Sequence, residues 1–249
     1  MRLGKLVAQL TGTTRTQGRE LIKSGRICVN GKTVRDDAVS VNEMTDSITL
    51  DQHELRYQRF YTIMMNKPAG VISATEDPHT KTVLDLLKKE DRLHKGLSPV
   101  GRLDKDTEGL LLLSNDGALA HDLISPKKHA DKLYFAKLLR KITKEDIMLF
   151  ESGMKVDEEL TAMPARLRFL TKEEQKDFCP EGEAAAVTLQ EGKFHQVKRM
   201  FAATGNEVLY LKRMAMGGLT LDKRLQPGEY RELSEQELFL VRKNTEKKG

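Results

Sequence analysis

Cysteine is scarce in this chain. Only Cys28 and Cys179 occur in 249 residues, far apart and with no second cysteine nearby, so neither a disulfide framework nor a cysteine-based metal site is expected. No stretch approaches the roughly 18 apolar residues of a membrane span. The start, Met1-Arg2-Leu3-Gly4-Lys5, leads into too short an apolar run for a signal peptide. A reduced, cytoplasmic protein with no membrane attachment is the expectation. A glycine-rich strand-to-helix turn of the nucleotide-binding kind is missing, which argues against a methyltransferase. The His-x-Glu with Pro-Cys-x-x-Cys of the zinc deaminases is also missing. There are no internal repeats, and the single biased segment is the basic tail 243–249, expected to fray.

What remains is ordinary globular material with a basic excess. Hydrophobic residues make up 39% and charged residues 32%, enough apolar surface for a core and too much for a disordered chain. The length suits two domains of unequal size. The net charge of +5 favours a polyanionic partner. That charge is concentrated near the start: Arg2, Lys5, Arg15, Arg19, Lys23, Arg26, Lys32 and Arg35 face one acid, Glu20.

Hydrophobic periodicity predicts helices over 3–10 and 16–24, the second capped by Thr14 or Thr16 and stopped by Gly25. Asn30-Gly31 between short apolar runs signals a hairpin, because both residues tolerate positive φ. Residues 39–50 supply further strands, and the polar stretch 51–59 reads as a linker, giving domains 1–59 and 60–249. Strands are expected at 60–65, 71–73, 110–113, 132–139, 165–169, 184–189 and 207–211, and helices at 83–88, 144–150, 195–204 and 234–241. The fold class is therefore α+β: a small N-terminal module, then a larger mixed, mainly antiparallel sheet with flanking helices.

The most informative segment is Gly101-Arg-Leu-Asp-Lys-Asp-Thr-Glu-Gly-Leu-Leu-Leu-Leu113. Four consecutive leucines cannot alternate between core and water, so they should be covered on both faces and give the charged turn before them a rigid base. If that turn is extended, Arg102 and Asp104 project from one face into a shared cleft. Asp104 with Asp106 raises the alternative of a Mg²⁺ site, but the spacing is weak evidence without further carboxylates.

Two more segments accompany it, Asn66-Lys-Pro-Ala-Gly70 and Glu191-Gly-Lys-Phe-His-Gln-Val-Lys-Arg-Met-Phe201. Together the three resemble the motifs of the RNA pseudouridine synthases, in the branch that carries an N-terminal S4 domain and modifies ribosomal RNA. Gly205-Asn-Glu-Val208, Gly217-Gly-Leu-Thr-Leu-Asp222 and Pro227-Gly-Glu-Tyr-Arg231 look most like the small-subunit (RsuA-type) members, and the resemblance covers nearly the whole chain.

The resemblance implies isomerisation of a uridine to pseudouridine in small-subunit ribosomal RNA without a cofactor or metal, by a monomer acting on the RNA or on an assembly intermediate. The alternatives are the same chemistry on the large subunit, or a non-catalytic RNA-binding assembly factor. Asp104 matches the family's catalytic aspartate, and Lys198 stands where the family places a basic partner, often Arg, with Arg199 as the rival. Tyr134 matches the active-site tyrosine and Arg102 the residue that follows the flipped base or grips its phosphate. Lys67 and Gly70 are expected to shape the turn beneath the cleft. The S4-like module would dock RNA through Arg15, Arg19, Lys23 and Arg26. Lys193, His195, Arg199, Lys212 and Arg213 are expected along the RNA track.

Overall fold

The computed structural model describes residues 1–55, 60–92, 94–125 and 130–246. The chain divides into two compact units, Met1–Phe60 together with Lys89–Leu93, and Tyr61–Lys88 together with His94–Gly249.

In the first unit, helices α1 (Leu3–Thr11) and α2 (Arg15–Lys23) precede strands β1 (Ile27–Val29), β2 (Lys32–Thr33), β3 (Ile48–Leu50) and β4 (His53–Glu54). Leu3, Leu6 and Val7 recur at helical spacing and are fully buried with Ile22 and Ile27, so a small core forms between helix pair and sheet. Thr14 caps α2: its hydroxyl accepts from the Gln17 amide while the Gln17 side chain accepts from the Thr14 amide, a reciprocal capping box. The helices approach closely at Gly18, where an added Cβ would lie 3.1 Å from Ala8. Asn30 and Gly31 have φ of 50° and 78° and turn β1 into β2. The expected linker is folded in its first part. Asp51 and Gln52 both take positive φ and turn β3 into β4, while residues 56–59 of that stretch lie outside the described residues.

The second unit is built on a mixed sheet. Its elements are β5 (Thr62–Lys67), a 3₁₀ turn (Val83–Leu86), α3 (Lys89–Arg92, grouped with the first unit), β6 (Ser98–Val100), β7 (Glu108–Ser114), α4 (Gly117–Ile124), β8 (Lys132–Leu138), α5 (Lys144–Ser152), β9 (Met154–Lys155), β10 (Thr161–Ala162), β11 (Arg166–Phe169), α6 (Lys172–Phe178), β12 (Glu183–Leu189), α7 (Gln196–Ala203), β13 (Val208–Met216), β14 (Leu219–Thr220), β15 (Tyr230–Glu232) and α8 (Glu235–Glu246). Among the described residues the strand order is β11-β12-β8-β13-β7-β5-β15, with β14 beside β13 and β6 beside β7. Among the described strands of this sheet the β13–β7 pairing alone is parallel.

Leu110 to Leu113 are all fully buried, because each face of the sheet has its own core. Leu111 and Leu113 pack with Phe150, Met200 and Phe201 of α5 and α7. Leu110 and Leu112 pack with Leu119, Leu123 and Val241 of α4 and α8. Gly109 lets β7 meet β13: at φ 102° its missing Cβ would stand 2.3 Å from the Arg213 carbonyl oxygen.

Some expectations need correction. Residues 71–73 form no strand, and Ile72 makes only an isolated bridge, to Thr82. The expected helix over 83–88 is a single 3₁₀ turn. The basic tail continues α8 as far as Glu246, and 247–249 lie outside the described residues. Helices α4 and α6 and strand β15 appear where none were expected.

Candidate active site

The turn 101–107 runs from β6 into β7 and is tethered from below by the segment after β5. The Gly70 amide donates to the Lys105 carbonyl at 2.8 Å. The Ser73 hydroxyl donates to the Leu103 carbonyl at 3.0 Å, and the Leu103 amide donates back to it at 3.1 Å. Lys67 is fully buried, and its ammonium donates to the carbonyls of Pro68 at 2.9 Å, Thr107 at 2.8 Å and Lys105 at 3.4 Å. Burial pushes this ammonium from its ordinary 10.5 down to about 8, against the pull of Glu108, Asp106 and Asp104. Lys67 and Gly70 thus shape the turn from beneath.

Above this base a cleft is lined by Arg102, Leu103, Asp104 and Thr107 from the turn, Tyr134 from β8, Leu211 from β13, and residues 192–193 and 195–198 around the start of α7. The space between them is about 50 Å³. Leu103, Leu189, Val197 and Leu211 supply the apolar part of its lining.

Asp104 stands at the polar end. Its Oδ2 lies 3.7 Å from Lys198 Nζ and its Oδ1 lies 3.7 Å from His195 Nε2. Lys198 is closer still to Asp106, at 2.6 and 2.7 Å from its two carboxylate oxygens. That hydrogen bond holds the Asp106 carboxyl below its ordinary range. The ammonium therefore sits between the two acids that the sequence reading had weighed as a Mg²⁺ pair. Among the described residues no group of three or more His, Cys, Asp or Glu could hold a metal ion.

Tyr134 is 7% exposed. Its hydroxyl accepts from Arg213 Nη1 at 3.5 Å, and its ring lies 6.0 Å from the same guanidinium. Arg102 is exposed at the rim. The structure thus brings Arg102, Asp104, Tyr134 and Lys198 into one cleft.

Three residues expected on the RNA track are placed otherwise. Arg213 is 1% exposed and donates from Nε to the Leu110 carbonyl at 2.7 Å; it pairs in register with Tyr134, so it lies within the sheet's packing and not at a surface. Lys212, one residue earlier on the strand, lines a cavity with Phe135 and Phe178 that shares no residue with the cleft, as strand alternation requires. Arg199 points away from Asp104 and is held by Asp157, with Nε to Oδ2 at 2.8 Å, and by Glu159 at 3.6 Å. Adjacent helix positions diverge by about 100°, so Lys198 faces the acid and its neighbour does not.

Lys193 and His195 do line the cleft. Lys193 Nζ is engaged by the Thr161 carbonyl at 2.7 Å and by Glu191 at 3.1 Å. Nothing in the sequence marks Asp106 as the partner of Lys198. Thr107, whose buried hydroxyl has no hydrogen-bond partner among the described residues, carries no sequence signal either, and the buried Gln196–Glu191 pair at 2.5 Å is signalled only by two polar residues five apart in one motif.

In the first unit, Arg15 and Arg19 join Arg2 and Lys5 around an open cavity of about 410 Å³. Arg19 is paired with Asp37 at 2.8 Å, while its side chain stays 61% exposed. Arg26 makes a forked pair with Asp51, and Lys23 is exposed on α2.

A fold of this topology with an aspartate loop under a basic helix start defines a class. The family model for RNA pseudouridylate synthase matches residues 61–203, the S4 domain model matches residues 1–46, and the chain belongs to the RNA pseudouridylate synthase family. It is 44% identical over 241 residues to the uncharacterized RNA pseudouridine synthase YtzG of Bacillus subtilis, covering 97% of this chain and 98% of that one. Similarity extends to the ribosomal small subunit pseudouridine synthase A of Vibrio cholerae, 38% identical with 97% and 99% coverage, and of Escherichia coli, 37% identical with 97% and 100% coverage. A crystal structure of a pseudouridylate synthase superposes with a TM-score of 0.65 at 32% identity, covering 97% of this chain and 99% of that one.

Proposed function

We propose that this protein isomerises one uridine of small-subunit ribosomal RNA to pseudouridine. The observation that carries the reading is the placement of Asp104: a partly covered carboxylate, 3.7 Å from Lys198 Nζ, in a cleft that Tyr134, Leu103 and Leu211 also line. Full-length similarity to enzymes named for the small ribosomal subunit supports that choice of substrate over the large subunit.

The reaction breaks the bond between uracil N1 and the ribose, turns the base, and forms a bond from the same sugar carbon to C5. Atoms and electrons balance within the substrate. For this to happen the uridine must leave its stack. Tyr134 offers a face and a hydroxyl to the extruded base, and Leu103 and Leu211 keep bulk water from the separated pieces. Asp104 is the group that acts on the nucleotide, as a nucleophile or as a base toward the sugar. Lys198 places a positive charge 3.7 Å from that carboxylate. Arg102 at the rim takes the vacated position or the flanking phosphate.

We assign residues 1–59 to an RNA-docking domain and 60–249 to the catalytic domain. In the first, Arg15, Arg19, Lys23 and Arg26 contact phosphates, with Asp37 and Asp51 displaced from Arg19 and Arg26 by the RNA. The test is Asp104→Asn: it retains rRNA binding within about threefold and forms no pseudouridine when products are mapped chemically. Full conversion by this variant would overturn the assignment, and a wild-type protein that binds rRNA but converts no uridine would overturn the activity.

A further inference from the structure

Phe194 has no role in the chemistry above, and its placement calls for one. It is 67% exposed, the most exposed aromatic side chain among the described residues, in a chain where aromatic residues are only 5%. Its ring stacks on the His195 imidazole, with centroids 3.8 Å apart and planes inclined by 17°. His195 is the residue whose Nε2 lies 3.7 Å from Asp104. With one face covered by the imidazole, the exposure of Phe194 falls on the opposite face and the edges.

The loop that presents this ring is held firmly. His195 takes a left-handed conformation, φ 49°, which side-chain-bearing residues adopt only where the surroundings impose it. Here they do: the Lys193 amide donates to Gln196 Oε1 at 2.9 Å, the Gln196 amide group donates to Glu191 at 2.5 Å, and Arg199 Nη1 reaches the Phe194 carbonyl at 3.4 Å. Such backbone strain at the mouth of a site directs two consecutive side chains, one towards the aspartate and one outward. Lys193, Lys198 and Arg102 surround the same mouth, so a polyanion is drawn to it.

We propose that Phe194, backed by His195, is a stacking platform for an unpaired base of the RNA strand next to the target uridine. This rests on the function proposed above and adds a requirement to it: the nucleotide beside the target must be unstacked from its own helix. An exposed ring of this kind fits a base face, which proteins hold on aromatic side chains in single-stranded RNA. A duplex, with its bases stacked on one another, offers it nothing.

The experiment uses full-length protein and a short RNA hairpin carrying the mapped target uridine, together with the same RNA made abasic at each neighbouring position in turn. Phe194→Ala is expected to lower kcat/KM and weaken RNA binding by about tenfold, within the range seen when a base loses its aromatic partner. Phe194→Tyr restores both, and Phe194→Leu, apolar but not flat, does not. On the RNA abasic at the stacking position, wild type is weakened to the same degree, and Phe194→Ala causes no further loss. Additive losses on every abasic RNA, or full rescue by Leu, would overturn the platform. Wild type failing to convert the intact RNA would instead count against the proposed function. Unchanged thermal midpoints identify the losses as binding effects.

Discussion

Replacing Lys67 by Met separates what holds the active-site turn in place from what holds the fold together. The exchange keeps an unbranched side chain in a fully buried position and removes only the ammonium, with its contacts to Pro68, Thr107 and Lys105. The Lys105 carbonyl still receives the Gly70 amide, so two carbonyls lose a strong donor, at about 1–3 kcal/mol each. Against this, Met carries no charge to desolvate. The fall of the Lys67 pKa from 10.5 to about 8 corresponds to about 3 kcal/mol at most, and closer to 2 kcal/mol once solvent screening is allowed for. The net loss of stability should then be about 2 kcal/mol, a fall of roughly 4–8 °C in the melting midpoint of a chain this size. Activity should suffer far more. Asp104 lies one residue from the Lys105 anchor, and a ~1 Å displacement of a reacting group can cost about a hundredfold. The assay is pseudouridine formation at saturating and subsaturating RNA, alongside thermal unfolding followed at several pH values. Because the native pKa of Lys67 lies below its ordinary value, the unfolded chain holds the proton more tightly. The wild type therefore gains stability relative to the variant as pH rises from about 8 to 10.5, and the difference is flat below about 8. A variant with near-normal kcat/KM, or a stability difference that ignores pH across that window, would refute the tether.

Two further outcomes follow from backbone and charge. Gly109→Ala places a Cβ 2.3 Å from the Arg213 carbonyl oxygen at a φ of 102°, so it should destabilise the protein by roughly 3 kcal/mol or more through strain and lost β7–β13 pairing; a denaturation midpoint within about 1 kcal/mol of wild type contradicts this close approach. Arg19→Ala combined with Lys23→Ala should reduce the slope of log affinity against log salt for rRNA by about 1.5 in magnitude, since each released phosphate contact contributes ~0.7–0.9. An unchanged slope in filter binding would remove α2 from RNA docking.

The elements readable in the sequence are those whose signal is local. Thr14 and Gln17 close a capping box at the start of α2, Asn30-Gly31 supplies the two positive φ values of a tight turn, and an unbroken leucine run can only be a strand covered on both faces. The missed elements had their signals masked. Asn115-Asp116-Gly117 reads as a turn, yet Asp116 accepts from the amides of Ala118 and Leu119 and so begins α4. Helix α6 has its own capping box, Thr171 with Glu174, but buries none of its residues, so it lacks the apolar period by which helices are recognised. The turn at Asp51-Gln52 uses positive φ without glycine and therefore passed for linker.

Arg102, Asp104, Tyr134 and Lys198 stand out in the sequence and line one cleft, whereas their pairings and the places of Arg199, Lys212 and Arg213 do not show there. Charge in a sequence does not show which acid a base will meet: Lys212 and Arg213 are adjacent basic residues, and strand alternation sends one to a separate cavity and buries the other beside Tyr134. Asp106 is the sharper case. From spacing alone it looked like a second metal ligand or a solvated neighbour of Asp104. The turn closed by the Thr107 amide on the Asp104 carbonyl at 3.1 Å instead carries Asp106 to the near side of Lys198, so the cation binds it at 2.6 Å and stands 3.7 Å from Asp104. Lys198 is thus shared, and its hold on Asp104 depends on what else engages Asp106. An ammonium, with three independent donors on a flexible stem, can divide itself between two carboxylates in this way; the rigid planar fork of an arginine favours one. That difference gives a physical reason for a lysine where the resemblance to the family leads one to expect an arginine, and it locates the control of the site's charge in the neighbouring residue of the turn.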